Sequence, residues 1–416
     1  VTELRLSNGI RVFLKPTAFK NDEILLAARS PGGTSLVGDD DYVPASYAGT
    51  MINMSGVGRF GPIELEKKLA GQVVAVSPFV GELSEGFRGS AAPADLETLF
   101  QLVHLYVTQP RVDSTAYLSF RERIGSILET FKADPASAYR DTIQVTMAQY
   151  HPRRKPLSTE TLEEMDLMES LNVFRDRFRD TGDFTFYLVG AFEIEQVRPL
   201  IARYLASLPT SGREENWRDI GVRPPSGRVE KEVRRGIEPK SQVYIHFSGE
   251  HPWTNRDRRL LSVVDDVVST RLREVLREDL GGTYGVSVNS SLQRRPAERY
   301  SFVINFGCDP ERVEELTAKV YGVLDSLKAS GTDETYLERS RETTLTSHRV
   351  GLEENGYWLR WIQFYDQNDL PFAEIPEGVV EFYDSIGLDD IQSAAQTFLS
   401  DENDVRVVLY PEDWPE

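Results

Sequence analysis

Hydrophobic and polar residues alternate along this chain with two different periods. Runs of period two on either side of Asn8-Gly9 predict a β-hairpin, because this dipeptide favours a tight two-residue turn. Apolar residues at helical spacing predict long helices at 96–107, 114–131 and 135–150, with no strand between them. Hairpins followed by consecutive helices indicate an α+β fold, in which an antiparallel sheet carries helices packed on one face.

The whole pattern occurs twice. Leu167 and Asp180 precede Leu388 and Asp401 by the same 221 residues (388 minus 167, and 401 minus 180) in matching helix–strand contexts. A repeat of this length is a duplicated domain rather than a solenoid of short units. We therefore expect two copies of one α+β unit.

A segment rich in proline, glycine and charged residues separates the two copies. Pro224 and Pro225 lie near its end, and such a composition is typical of a linker. The sequence thus predicts a first unit at 1–210, a linker at 211–231 and a second unit at 232–416.

Charge and composition exclude several classes of protein. The 416 residues carry a net charge of -19, which would repel the phosphates of nucleic acids. No run of 18 apolar residues occurs, so we expect no membrane-spanning helix. Cys308 is the single cysteine, which excludes an internal disulfide and a cysteine zinc site. The chain begins at Val1 rather than at a methionine, and we expect it to be part of a longer polypeptide.

One helix-to-strand corner in the second unit carries candidate chemistry. Arg277 lies in the last turn of a predicted helix that ends at Gly281-Gly282, and Tyr284 opens the strand that follows. A guanidinium and a phenol can both donate hydrogen bonds to a carbonyl or an oxyanion. The alternative is structural: an arginine near a helix C-terminus favours the helix dipole, and a tyrosine at a strand start often packs.

Three segments, in this order, resemble a known family. They are LSNGIRVFLKP near the N-terminus, the block from His151 to Pro209, and LREDLGGTYGV at 276–286. The chain resembles one half of a pitrilysin/insulinase-type zinc metallopeptidase. The resemblance implies four such units in two halves, which close around a chamber where peptides are cut. It also implies that Arg277 and Tyr284 bind the peptide substrate.

The zinc-binding signature of that family, His-x-x-Glu-His on a helix of the first unit, is missing. The corresponding helix at 44–54 contains neither histidine nor glutamate. Glu129 remains as a possible downstream carboxylate, but one carboxylate cannot fill a three-ligand zinc site. His246 and His251 lie five residues apart across a strand end, where they need not converge. We therefore predict no metal site and no cofactor in this chain, which alone should be inactive.

The resemblance leaves three functional alternatives open. The chain is the non-catalytic C-terminal half of a bacterial zinc protease, a separate inactive subunit that pairs with a catalytic chain, or a scaffold that kept only the fold. In the first two cases its partners are a zinc-bearing half and a peptide substrate. By resemblance alone, a periplasmic or secreted location is favoured.

Overall fold

A computed structural model describes residues 1–279 and 283–415, with side chains for all of them except 277–279, 283 and 284. The chain forms two units, each assembled from three separate segments. The first unit contains Val1–Ser126, Ser158–Ile220 and His348–Glu377. The second contains Ile127–Leu157, Gly221–Ser347 and Gly378–Glu416. Each unit therefore includes one segment from the other half of the sequence.

The first unit is built on a six-stranded sheet. Its strands are β1 (Thr2–Arg5), β2 (Arg11–Pro16), β3 (Ile24–Pro31), β4 (Val74–Val80), β5 (Ser84–Ala91) and β6 (Thr185–Gly190). The strand order is β1-β2-β6-β3-β5-β4. Only β2 and β6 run parallel; all other neighbours are antiparallel. The hairpin of β1 and β2 turns at Asn8-Gly9, as predicted, with Gly9 at a φ of 96°.

The second unit repeats this topology with five strands. They are β7 (Arg228–Arg234), β8 (Ser241–Glu250), β9 (Thr283–Gln293), β10 (Arg299–Cys308) and β11 (Asp404–Tyr410). Their order, β7-β11-β8-β10-β9, matches β2-β6-β3-β5-β4, and again only the first pair runs parallel. The two sheets therefore agree in strand order and direction, as a duplication requires.

Fourteen helices are present in the described part of the chain. They are α1 (Tyr42–Met54), α2 (Pro62–Leu69), α3 (Leu96–Thr108), α4 (Ser114–Ala133), α5 (Pro135–Met147), α6 (Thr159–Glu164), α7 (Leu167–Phe178), α8 (Ile194–Leu200), α9 (Asn255–Arg273), α10 (Val313–Ser330), α11 (Glu334–Gly351), α12 (Asn355–Gln367), α13 (Glu374–Asp384) and α14 (Leu388–Phe398). Wider helical turns continue α8 at Ile201–Leu205 and α9 at Glu274–Asp279. Among these helices none combines the length and the apolar composition needed to cross a bilayer.

One face of each sheet, which we call the inner face, carries the main core of its unit. In the first unit, α3 and α7 place Leu99, Phe174 and other buried side chains against the strands. In the second, α9, α10 and α14 do the same, with Val264 and Phe398 fully buried. Burial of this apolar area supplies the main favourable free energy of folding in each unit.

The opposite, outer face of each sheet is covered in part by a single helix from the other half of the sequence. Helix α12 packs Ile362 and Tyr365 against Phe13 and Tyr187 of the first sheet. Helix α5 packs Tyr139 against strand β11 of the second sheet. The two helices occupy corresponding positions in the repeat, so the two halves of the sequence exchange equivalent helices.

The α+β class is confirmed, while two details of the predicted architecture are wrong. Each sheet contains one parallel pair, because β6 and β11 return from helices and enter the sheet beside β2 and β7. Helices also lie on both faces of each sheet, since α12 and α5 cover the outer faces. Residues 211–227 contain no helix or strand, in keeping with a linker. The predicted domain limits at 210 and 232 stay a prediction.

Candidate functional site

The backbone on both sides of the corner that contains Arg277 and Tyr284 has the predicted secondary structure, with helical turns before it and a strand after it. Arg277 lies in the helical turn Glu274–Asp279 that continues α9, and Tyr284 is the second residue of β9. Residues 280–282 lie outside the described residues, as do the side chains of Arg277 and Tyr284. Their predicted role in substrate binding therefore stays a prediction.

The pairing between β9 and β10 skips one residue at this corner. Gly285 pairs with Gly307, and Thr283 pairs with Cys308, so that Tyr284 is the extra residue of a β-bulge. Such bulges bend a strand and are frequent beside active sites, where they re-aim a side chain. The sequence predicted the strand but not this irregularity, because a bulge depends on the partner strand.

A cavity of about 380 Å³ lies on the outer face of the second sheet, directly beside this bulge. Its floor includes Gly285 and Ser287 of β9 and Asn305 of β10, while Tyr139 of α5 forms one wall. Gly285 is exposed, and a Cβ placed there would meet no atom within 4 Å. A ligand can thus approach the backbone of β9 closely at this point.

The polar side chains on the cavity floor are available to a ligand. Ser287 and Asn305 lie opposite each other, and neither side chain makes a hydrogen bond with any of the described residues. A hydroxyl and an amide can each donate and accept, which suits the N–H and C=O groups of a peptide backbone. Tyr139 donates a hydrogen bond to the carbonyl oxygen of Val407 at 3.4 Å, and burial raises the pKa of its phenol, which therefore stays neutral.

The helix that corresponds to the metal-binding helix of the resembled family does not fit a zinc site. It is α1, whose residues Pro44, Ala45 and Ala48 are buried in the core of the first unit. A Cβ on Gly49 would lie only 2.8 Å from the Cα of Phe79, so the helix packs directly on β4. Neither the residue types nor the space on this helix would hold a metal ion.

The other candidate metal ligands, Glu129, His246 and His251, each contact different neighbours. Glu129 is exposed on α4 and accepts a hydrogen bond from Lys132 at 2.7 Å, as expected of a solvated helix residue. Nε2 of the buried His246 lies 2.6 Å from Oγ of Ser301, whereas Nε2 of His251 lies 3.4 Å from the Asp257 carboxylate. Within residues 1–279 and 283–415, no group of three or more histidine, cysteine or acidic side chains is arranged to hold a metal.

Cys308 and three other side chains that could carry chemistry, those of Trp358, Trp361 and His348, have structural surroundings. Cys308 is the last residue of β10; its thiol is buried, and burial raises its pKa to about 12. Trp358 and Trp361 are half-buried residues of α12. They pack against the hydrophobic cluster on the outer face of the first sheet. His348 lies 2.5 Å from the hydroxyl of Tyr357 and 2.8 Å from the carbonyl oxygen of Pro376. These contacts favour packing roles.

Comparison with known proteins identifies the class. The family model described as "Peptidase M16 inactive domain" matches residues 166–344, which include the helix-to-strand corner and the cavity floor. This segment, which is less than half of the chain, therefore resembles the inactive domain of the M16, or pitrilysin-type, peptidases. A crystal structure of a peptidase M16 inactive domain from Pseudomonas fluorescens has the same fold, with a TM-score of 0.82 at 15% identity over 99% of this chain and 98% of that one.

PqqL-like zinc proteases are among the proteins that this chain is similar to. The probable zinc protease PqqL of Haemophilus influenzae is 26% identical over 375 residues, covering 86% of this chain and 39% of the relative. The crystal structure of the periplasmic protease PqqL from Escherichia coli gives a TM-score of 0.87 at 23% identity over 98% of this chain and 45% of that chain. This chain therefore spans less than half the length of these relatives.

Proposed function

We propose that this chain is the non-catalytic half of an M16 zinc metallopeptidase. In this proposal it closes the peptide chamber together with a zinc-bearing half and contributes to the binding of the peptide substrate. The observation that carries the proposal is the match to the inactive-domain family, in a chain whose α1 has neither the residues nor the space for zinc. The much greater length of the PqqL relatives, which leaves room for a second half, supports it.

Peptide binding is proposed at the bulged end of β9. Arg277 and Tyr284 would donate hydrogen bonds to a peptide carbonyl, and the free side chains of Ser287 and Asn305 would hold the neighbouring peptide units. Strand β9 is also the edge of its sheet, so its outer backbone groups can pair with an extended peptide. Zinc in the partner half would activate the attacking water, and Arg277 and Tyr284 would stabilise the negative charge that develops on the carbonyl oxygen.

A periplasmic location forms part of the same proposal. The Escherichia coli protein with the same fold is described as a periplasmic protease. The present chain has the same α+β fold as part of that protein, and the match covers 98% of the present chain. Fractionation of cells that produce the full-length protein, with known periplasmic and cytoplasmic marker proteins alongside, tests this directly.

The central experiment combines the chain with the zinc-bearing half of its enzyme. We expect metal analysis to find zinc only in the other half and peptidase activity only in the mixture. Tyr284→Phe and Arg277→Lys should each lower the turnover by about a hundredfold, roughly 3 kcal/mol, because each removes or displaces one donor to the oxyanion. Melting temperature and the zinc content of the partner half should stay unchanged.

Matched controls are exposed residues of the same two types. Arg273→Lys changes an exposed arginine on α9, and Tyr150→Phe changes an exposed tyrosine; both should leave turnover unchanged. One tightly held zinc in the isolated chain, together with chelator-sensitive cleavage, would refute the proposal. Near-normal turnover in both the Tyr284 and the Arg277 variants would refute the role of the corner.

A further inference from the structure

The cavity beside the bulge of β9 has a floor that lacks side chains at two neighbouring positions. Gly285 of β9 pairs directly with Gly307 of β10. Alternation along the two strands puts both glycines on the outer face, because Val286 and Phe306 pack in the core on the inner face. The paired glycines leave a depression two strands wide at the edge of the second sheet.

The fold of this chain does not itself require a glycine at position 285. The φ of Gly285 lies outside the left-handed region, so other residues can adopt the same backbone conformation. A Cβ at this position would meet no atom within 4 Å, so no described part of the chain fills the space above it. A glycine inside a strand weakens the strand and often marks a place where another molecule approaches the backbone. The open space therefore favours contact with a ligand.

The lining of the cavity is uncharged. Gln242, Ser287 and Asn305 border the depression with neutral polar groups. Tyr139 packs against β11 and closes the cavity on the side away from the sheet edge. None of the described residues that line the cavity carries a charge. An ionised side chain would therefore lose hydration there without gaining an ionic partner.

An extended peptide that pairs with β9 would place one side chain over the depression. In such an added strand, the Cβ of the residue opposite Gly285 lies on the same face, about 5 Å away. A flat ring at this position can lie on the backbone of Gly285 and reach Gly307, because neither residue has a Cβ. Aromatic residues cover glycines of neighbouring strands in this way within β-sheets.

We propose that this depression binds the side chain of a phenylalanine, tyrosine or tryptophan in a peptide held along β9. We call it the glycine pocket, and it is defined by Gly285, Gly307, Gln242 and Tyr139. The inference rests on the proposed function, since it assigns a substrate class to the same peptide site. The peptides that this chain favours are those with an aromatic residue opposite Gly285.

The net charge of the chain makes a preference for aromatic peptides diagnostic. A chain with a net charge of -19 attracts basic peptides at long range. Non-specific association would therefore strengthen when an alanine in the peptide is replaced by lysine. A preference for phenylalanine over lysine has to come from local apolar contact.

The test compares four fluorescent ten-residue peptides by the anisotropy that each gains on binding to the chain. All are acetylated and amidated, alternate threonine and serine, and carry alanine, leucine, phenylalanine or lysine at one central position. We expect phenylalanine to bind about tenfold more tightly than alanine, as burial of roughly 60 Å² more apolar area supplies. It should also bind about threefold more tightly than leucine, because a branched side chain cannot lie flat on both glycines. The lysine peptide should bind less tightly than the phenylalanine peptide.

Two substitutions fill the glycine pocket to different extents. Gly285→Ala should reduce the preference for phenylalanine, and Gly285→Val should abolish it, because the added methyl groups occupy the place of the ring. Neither should lower the melting temperature, since the new side chain enters open space and favours the strand more than glycine does. Ser291→Val is the matched control: it adds a valine on the same face of β9, at an exposed position outside the cavity. The tenfold preference should stay intact in this variant.

The outcomes separate the glycine pocket from the proposed function. Equal affinity for phenylalanine and alanine, leucine bound as tightly as phenylalanine, or lysine bound most tightly overturns the pocket and leaves the proposed function standing. A preference that survives Gly285→Val, or that is lost in Ser291→Val, has the same meaning. Failure to bind any of the four peptides overturns the pocket together with peptide binding at β9. An aromatic preference in a chain that yields no activity with the zinc-bearing half supports the pocket and refutes the catalytic part of the proposed function.

Discussion

His246 is a buried titratable residue on the outer face of the second sheet. Its side chain is 4% exposed and lies against Ser301 of β10. Burial, together with the positive charge of Arg299, lowers its pKa to about 4, from an ordinary value of 6.5. The folded protein therefore holds this histidine in its neutral form at every pH above that value.

This environment predicts a loss of stability in acid. The unfolded chain takes up a proton at His246 near pH 6.5, whereas the folded chain does so only near pH 4. The free energy of unfolding should therefore fall as pH decreases between these values, by roughly 3 kcal/mol from this residue. Urea unfolding of the wild type and of His246→Gln at pH 8, 6 and 4.5 measures it.

The comparison at pH 8 is the internal control, because the histidine is neutral there in both states. We expect the variant to lose stability less steeply than the wild type below pH 6.5. Parallel curves for the two proteins over the whole range would contradict the assigned environment of His246.

Single residues were predictable from the sequence where their conformation depends on immediate neighbours. Asn8-Gly9 forms the predicted turn, and Asp134 caps α5 by accepting a hydrogen bond from the backbone N–H of Ala136. The bulge at Tyr284 was not predictable, because it depends on Gly307 and Cys308 in another strand. The corner itself was found from local patterns, but the cavity beside it requires that cross-strand register.

At the scale of elements, α12 and α5 have the largest effect on the two sheets. Each covers an apolar strip on an outer face that the other helices of its unit leave open. Ile362 and Tyr365 of α12 are both 1% exposed, although the helix is remote in sequence from the sheet it covers. The cavity at the bulged end of β9 lies beside α5, so one of its walls depends on the same packing.

Truncation of a buried side chain on α12 should destabilise the first unit. We expect Ile362→Ala to lower the free energy of unfolding by about 2–5 kcal/mol, from lost apolar burial and the cavity left behind. Arg360→Ala, on the exposed side of the same helix, should cost less than about 1 kcal/mol. Urea unfolding measures the loss in the free energy of unfolding, and hydrogen exchange shows which strands are destabilised.

The exchange experiment tells which sheet the helix supports. Amides of β3 and β6 should exchange faster in Ile362→Ala, while those of β8 and β11 should not. Faster exchange confined to the second sheet would contradict the assignment of α12. The sheet that α12 covers could not be predicted from the sequence, because periodicity shows which residues of a helix are buried and not what covers them.

At the scale of the whole molecule, the duplication of the unit and the exchange of α5 and α12 have opposite implications for how independent the two units are. The repeated strand order suggests two independent domains, but each unit needs a segment from the other half of the sequence. Residues 1–220 lack α12, and residues 221–416 lack α5. Neither half of the sequence contains everything that its own sheet requires.

Separate production of these two fragments tests this dependence. We expect each fragment alone to bind a hydrophobic dye and to aggregate, because an apolar outer face stays uncovered. Produced together, they should associate and regain the circular dichroism and unfolding transition of the intact chain. A cooperative, dye-free monomer formed by residues 1–220 alone would contradict the expectation.

The exchange of helices also sets the order of events during biosynthesis. All six strands of the first sheet have been synthesised once the ribosome has added residue 190. Helix α12 is completed only at Gln367. At about 5–20 residues per second, the synthesis of the intervening residues takes roughly ten seconds or more. Throughout that interval Phe13 and Tyr187 lack their final neighbours, and a chaperone that shields such a strip would find its substrate here. Folding of the first unit is thereby delayed until α12, far along the sequence from the strands that it covers, has been made.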